Sequence, residues 1–207
     1  VRAGVLPSLR KGTLPGSEQW RLAIFTPDID PVHSLAQRLA PMIEGQESDD
    51  INALLHKSPE NLDLLVGQLF EGATPEARLL LIVDQFEEIF TRAGESDRKV
   101  FLEILNHTVT VPDGKVTVLI TMRADFFDRL SHYPALAELF EQENMVIVTE
   151  MTAPELLRTI EGPAKAVGLT YDRGLSQNIL EEVMRQPGSL PLLQYALKEL
   201  FEHRDGA

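Results

Sequence analysis

Apolar and polar positions along this 207-residue chain change their period several times. WRLAIFTP (20–27) reads as a strand stopped by Pro27. LLLIV (79–83) is an apolar run bounded by charge that ends at Asp84, and KVTVLIT (115–121) is a second, β-branched run that stops at Thr121. Short apolar runs without alternation fit strands of a parallel sheet buried on both faces. The helical spacing from about Asp97 to His107 then predicts a β-α-β unit with both carboxyl ends on one edge of the sheet. Helices are predicted over residues 1–10, from Asp30-Pro31 through Val32, Leu35, Leu39 and Met42, and over NLDLLVGQLF (61–70), which follows Ser58-Pro59-Glu60. EGQESDD (44–50), AGESD (93–97) and PDG (112–114) read as loops. MVIVTEM (145–151) is predicted as a last strand. Beyond it the pattern is helical only: from Pro154, from about Gly174 to Arg185, and from about Leu190 to Glu202. The change near Thr152 predicts an α/β core over residues 1–151 and a helical subdomain over 152–207.

Chemistry gathers at the ends of the two apolar runs. Open α/β sheets bind ligands outside the carboxyl ends of their strands, so Asp84 stands where a metal-bound phosphate is held. Magnesium takes oxygen ligands and keeps several waters, which suits one strand-end carboxylate. Glu87 or Glu88 then has the reach to orient or deprotonate a water for attack on a phosphoryl group, with Glu88 favoured. Arg123, just past the second strand, is of the type that holds a terminal phosphate through charge-assisted hydrogen bonds. A plainer account treats Glu87 and Glu88 as an acidic first helical turn, and Arg123 as the ion-pair partner of Asp125 or of the Glu pair.

Together LLLIVDQFEEIF (79–90), VTVLITMRADFFDRL (116–130) and PGSLPLLQYALKELF (187–201) resemble, in order and spacing, the novel STAND family of P-loop NTPases, relatives of the NACHT and apoptotic ATPases. The likeness continues through TAPELLRTIEGPAKAVGLTYDRGL (152–175), and VRAGVLPSLRKG (1–12) resembles the helix that follows the phosphate-binding loop. The resemblance implies a three-layer P-loop sheet followed by a small all-helical subdomain. The first segment would be the Walker B strand with Asp84 on Mg²⁺, and the second the sensor strand with Arg123. Pro191 of Gly188-Ser189-Leu190-Pro191 would be the Gly-Pro motif proline that lies against adenine, although the spacing is G-x-x-P where related groups show G-x-P. ATP or ADP with Mg²⁺ are the implied ligands. The implied role is an ATP-hydrolysing switch in a larger, cytoplasmic, bacterial-type signalling protein that self-associates in the ATP state. Fused sensor repeats, such as a WD-repeat propeller, and an effector domain are the implied neighbours. The alternative is an inactive scaffold that keeps the fold and mediates protein association; a metal-dependent hydrolase without nucleotide lacks the second acidic motif of a two-metal site.

A G-x-x-x-x-G-K-[ST] loop occurs nowhere in the chain. The expectation is that it lies just before Val1, that the chain is a piece cut downstream of it, and that this piece alone is inactive and does not fold independently. Composition narrows the picture further. With 32 acidic and 19 basic residues, a net charge of −13, the surface repels a nucleic-acid backbone. The basic residues Arg2, Arg10 and Lys11 are read as cations complementing a helix C-terminus. There is no cysteine, hence no disulfide framework. His33, His56, His107, His132 and His203 lack zinc-ligand spacing, and no apolar stretch is long enough to span a bilayer.

Overall fold

A computed structural model of the protein describes residues 4–137, 140, 144–186 and 188–204. These form two compact units, residues 1–145 and 146–207. The portion of the first expected helix over residues 1–3, including Arg2, lies outside the described residues.

In the first unit, β1 (Arg21–Phe25), β2 (Leu79–Val83) and β3 (Val116–Ile120) form a parallel sheet in the order β1-β2-β3. The register pairs Phe25 with Val83 and Val83 with Ile120, so all three strands end level at one edge. Every residue of central β2 is buried, as its unbroken apolar run requires. Alternation divides the strand between two cores. Leu79, Leu81 and Val83 join the larger cluster with Ala23 and Phe25. Leu80 and Ile82 join a smaller one with Leu6 and Leu9 of α1 (Val5–Arg10), flanked by Trp20, Leu22, Ile24 and Leu119.

The larger core is closed by α2 (Pro31–Leu39), α3 (Ser48–Lys57), α4 (Asn61–Leu69) and α6 (Glu95–Thr110), while α5 (Glu88–Thr91) is a single turn after β2 and α7 (Pro134–Ala137) a single turn after β3. Helix α2 starts as the sequence suggests: the Asp30 side chain accepts from the His33 N–H at 2.9 Å, and Pro31 occupies the first turn, where no N–H is needed. Phe101 of α6 packs edge-on against Phe25, with ring centroids 6.0 Å apart.

Three expectations are corrected. Helix α3 begins at Ser48, inside the segment read as a loop, and α6 begins at Glu95, inside another. In both, acidic residues (Asp49 and Asp50; Glu95 and Asp97) are first-turn charges that favour the positive end of the helix dipole. The strand expected over residues 145–151 does not form. Residues 145–152 carry no regular structure, and Val146, Ile147 and Val148 are 87%, 75% and 91% exposed. Apolar, β-branched composition does not make a strand without a neighbour to take its backbone hydrogen bonds, and β3 has no outer partner among the described residues.

The second unit packs α8 (Ala153–Ala166), α9 (Leu175–Arg185) and α10 (Leu190–Glu202) around Leu156, Ile160, Leu180 and Leu193. Glu155 reaches back to accept from the Thr152 N–H at 2.8 Å, fixing the start of α8. The Tyr171 hydroxyl donates to the Ile160 carbonyl at 3.0 Å, tying the following loop to the same helix. No helix among the described residues is long and apolar enough to cross a membrane.

Candidate functional site at the carboxyl edge of the sheet

Because the strands end in register, Asp28, Asp84 and Arg123 all emerge on one edge. Asp84 is half-buried directly after β2, and its N–H donates to the Phe25 carbonyl at 2.9 Å, one pairing step beyond the strand. Its Oδ1 accepts a 2.6 Å hydrogen bond from the Thr121 hydroxyl, a residue 37 positions away, leaving Oδ2 outside that bond. The chain then turns sharply at Gln85, which has φ +56°, a left-handed conformation uncommon for a non-glycine residue.

Glu87 and Glu88, adjacent in the helical turn that follows, point in different directions around it. The Glu87 carboxylate faces β3's end and accepts from the Arg123 N–H at 3.4 Å. Glu88 turns the other way. Its carboxylate, with the side chain 17% exposed, pairs with Arg92 at 3.3 Å, and Arg92 also reaches Asp28 at 2.7 Å. The Arg123 guanidinium forms a forked pair with Asp125, Nε to Oδ1 at 3.1 Å and an Nη to Oδ2 at 2.8 Å. These hydrogen bonds and the Asp125 charge raise the Arg123 pKa, and Arg123 in turn lowers that of Asp125. Both side chains remain largely exposed, so the pair adds little to stability and is open to exchange for another anion.

Asp84, Glu87 and Arg123 are thus neighbours on one edge, whereas Glu88 is engaged in a separate ion-pair group. Gly188 and Pro191 belong to the second unit. Gly188 has φ +78° with open space where a Cβ would stand, so it is the turn's backbone conformation that calls for glycine there. Pro191 lies exposed in the first turn of α10. Sequence reasoning overlooked Thr121, Arg92 and Asp28. Thr121 carried a legible signal as the first polar residue after an apolar strand; the Arg92–Asp28 contact joins segments with no shared motif.

Among the described residues no three or more His, Asp or Glu side chains are grouped to cage a metal. A cation at this edge would rely on Asp84, waters and ligand oxygens, the manner in which magnesium is held on nucleotides. The site is therefore that of an α/β protein with two carboxylates, Asp84 and Glu87, and one arginine, Arg123, on the carboxyl edge of a parallel sheet, the edge at which open α/β sheets bind ligands. A family model described as Novel STAND NTPase 1 matches residues 1–207, and the chain belongs to that family. Membership carries nucleotide binding with it. Comparison with curated proteins and with solved structures finds no match.

Proposed function

We propose that the chain is the nucleotide-binding and ATP-hydrolysing switch module of a signal-transduction protein, with Mg²⁺·ATP bound at the carboxyl edge of the sheet. The observation that carries this reading is the juxtaposition of Asp84, Glu87 and Arg123 there, in a member of a STAND NTPase family. Asp84 is the metal-side ligand, through water. Arg123 exchanges Asp125 for the terminal phosphate, a trade of one exposed anion for another. Glu87 takes the water-orienting role, because the Glu88 carboxylate is occupied by Arg92.

A three-layer P-loop sheet is the accompanying fold, with residues 1–151 as the NTPase core and 152–207 as the helical subdomain. Supporting this, the residues of β3 are half-buried or exposed where those of β2 are buried, which suits an edge that takes a further parallel strand. By family resemblance Pro191 is a nucleotide-binding residue, with Gly188 shaping its turn. Self-association in the ATP state, cytoplasmic location and fused sensor and effector domains complete the proposal by family resemblance.

Calorimetric titration and steady-state turnover of the intact protein test it. Arg123→Ala is expected to weaken ATP about tenfold or more while leaving ADP within a few-fold, since only the triphosphate offers the group Arg123 binds. Glu87→Gln should retain ATP but lose turnover by about 10²-fold or more, with a smaller loss in Glu88→Gln. Equal losses of ATP and ADP would make Arg123 structural. Parental turnover in Glu87→Gln would leave the inactive-scaffold reading or a different base.

A further inference from the structure

We infer that Thr121 is a positioning residue for the metal-side carboxylate, an inference that rests on the reading of Asp84 as the Mg²⁺ ligand. All the polar groups of Thr121 are spent on the four residues at the end of β2. Its N–H donates to the Val83 carbonyl at 3.0 Å, and its carbonyl accepts from the Phe86 N–H at 2.9 Å. Its hydroxyl donates to Asp84 Oδ1 at 2.6 Å and accepts from the Gln85 N–H at 3.2 Å. A hydroxyl has one proton to give, and here it goes to the carboxylate.

The backbone bonds would persist with any residue at 121, but the hydroxyl bonds would not. They act on the two features that decide where Asp84 points, its own carboxylate plane and the left-handed turn at Gln85 immediately after it. With Oδ1 engaged by Thr121, Oδ2 is the oxygen that would be left to hold a metal-bound water. Carboxylates that bind metal are themselves oriented by a second layer of hydrogen bonds, whose removal typically costs 10–100-fold in metal affinity. Thr121 also stands two residues before Arg123, whose N–H contacts Glu87. The end of β3 therefore grips the whole segment 83–87 that carries the acidic groups.

The test is the Mg²⁺ dependence of ATP binding to the intact protein, measured by calorimetry over a Mg²⁺ series and in EDTA. Thr121→Val keeps the shape and removes the hydroxyl; it is expected to raise the half-saturating Mg²⁺ concentration about tenfold or more, with the affinity for ATP in EDTA unchanged. Thr121→Ser restores the hydroxyl and should return the parental Mg²⁺ dependence. A purely structural role for Thr121 would instead weaken binding equally with and without Mg²⁺, and that result overturns the inference. So does a folded Thr121→Val with parental Mg²⁺ half-saturation. If Thr121→Val does not fold, Thr121→Ser decides, because a tenfold shift in that hydroxyl-retaining variant contradicts the assignment and a parental value supports it. Asp84→Ala separates the two levels: parental Mg²⁺ dependence there removes the metal assignment and Thr121's role with it, whereas loss in Asp84→Ala beside no change in Thr121→Val defeats only Thr121.

Discussion

At Gln85 a side chain sits where the backbone asks for none. Its φ of +56° places it in the left-handed region, which costs an L-residue roughly 1–2 kcal/mol, and its exposed side chain has no hydrogen-bond partner among the described residues to offset this. The N–H, by contrast, is used by Thr121. Gln85→Gly is therefore expected to leave the stability of the protein unchanged or raise it by up to about 1 kcal/mol, the relief of strain exceeding the added freedom of the unfolded chain. Gln85→Val, β-branched, should lower it by about 1–2 kcal/mol. Urea denaturation checks both, and a stabilising valine would mean that the turn is not held as described. That Asp84, Glu87, Glu88 and Arg123 stand at the carboxyl ends of strands is legible in the sequence, because each closely follows an apolar run. Their pairings are not. Glu88 pairs with Arg92, and Arg92 is held by Asp28 from the end of another strand, a contact between segments that composition and period do not encode.

The start of α8 gives a second test at the level of one element. The Thr152 N–H and hydroxyl both donate to Glu155, and these hydrogen bonds hold the Glu155 carboxyl below its ordinary pKa. A depressed carboxylate pKa in the folded state contributes stability above the unfolded value, and the contribution is lost as pH falls through the folded one. Glu155→Gln should accordingly lower the thermal midpoint of α8 unfolding near neutral pH, with the difference from the parent shrinking as pH drops below about 4. Circular dichroism melts at several pH values would show it; a deficit that is constant or grows toward acid would rule out the charged cap. Strands β1, β2 and β3 and helices α2, α4, α8, α9 and α10 follow from apolar spacing and from turn residues. The elements where sequence and structure differ share one cause, that local composition does not carry its setting. Acidic clusters at Ser48–Asp50 and Glu95–Asp97 have loop composition but are helix starts, and the apolar stretch at 145–148 has strand composition but no neighbouring strand among the described residues.

For the whole molecule, the proposed function places Mg²⁺ and nucleotide at the carboxyl edge of the three-stranded sheet, beside Asp84 and Thr121. The sheet supplies its own ruler, because in-register strands put Phe25, Val83 and Ile120 at one end and Arg21, Leu79 and Val116 at the other. Mn²⁺ substitutes for Mg²⁺ on oxygen ligands and broadens nearby amide resonances with a steep distance dependence. The decisive measurement is an NMR titration of the intact protein with Mn²⁺ in the presence of ATP. The amides of Asp84, Gln85, Thr121 and Arg123 are expected to broaden first and those of Arg21, Leu79 and Val116 later, with the contrast abolished in Asp84→Ala. Broadening that begins at the amino ends of the strands, that spreads evenly along them, or that persists unchanged in Asp84→Ala would contradict that placement.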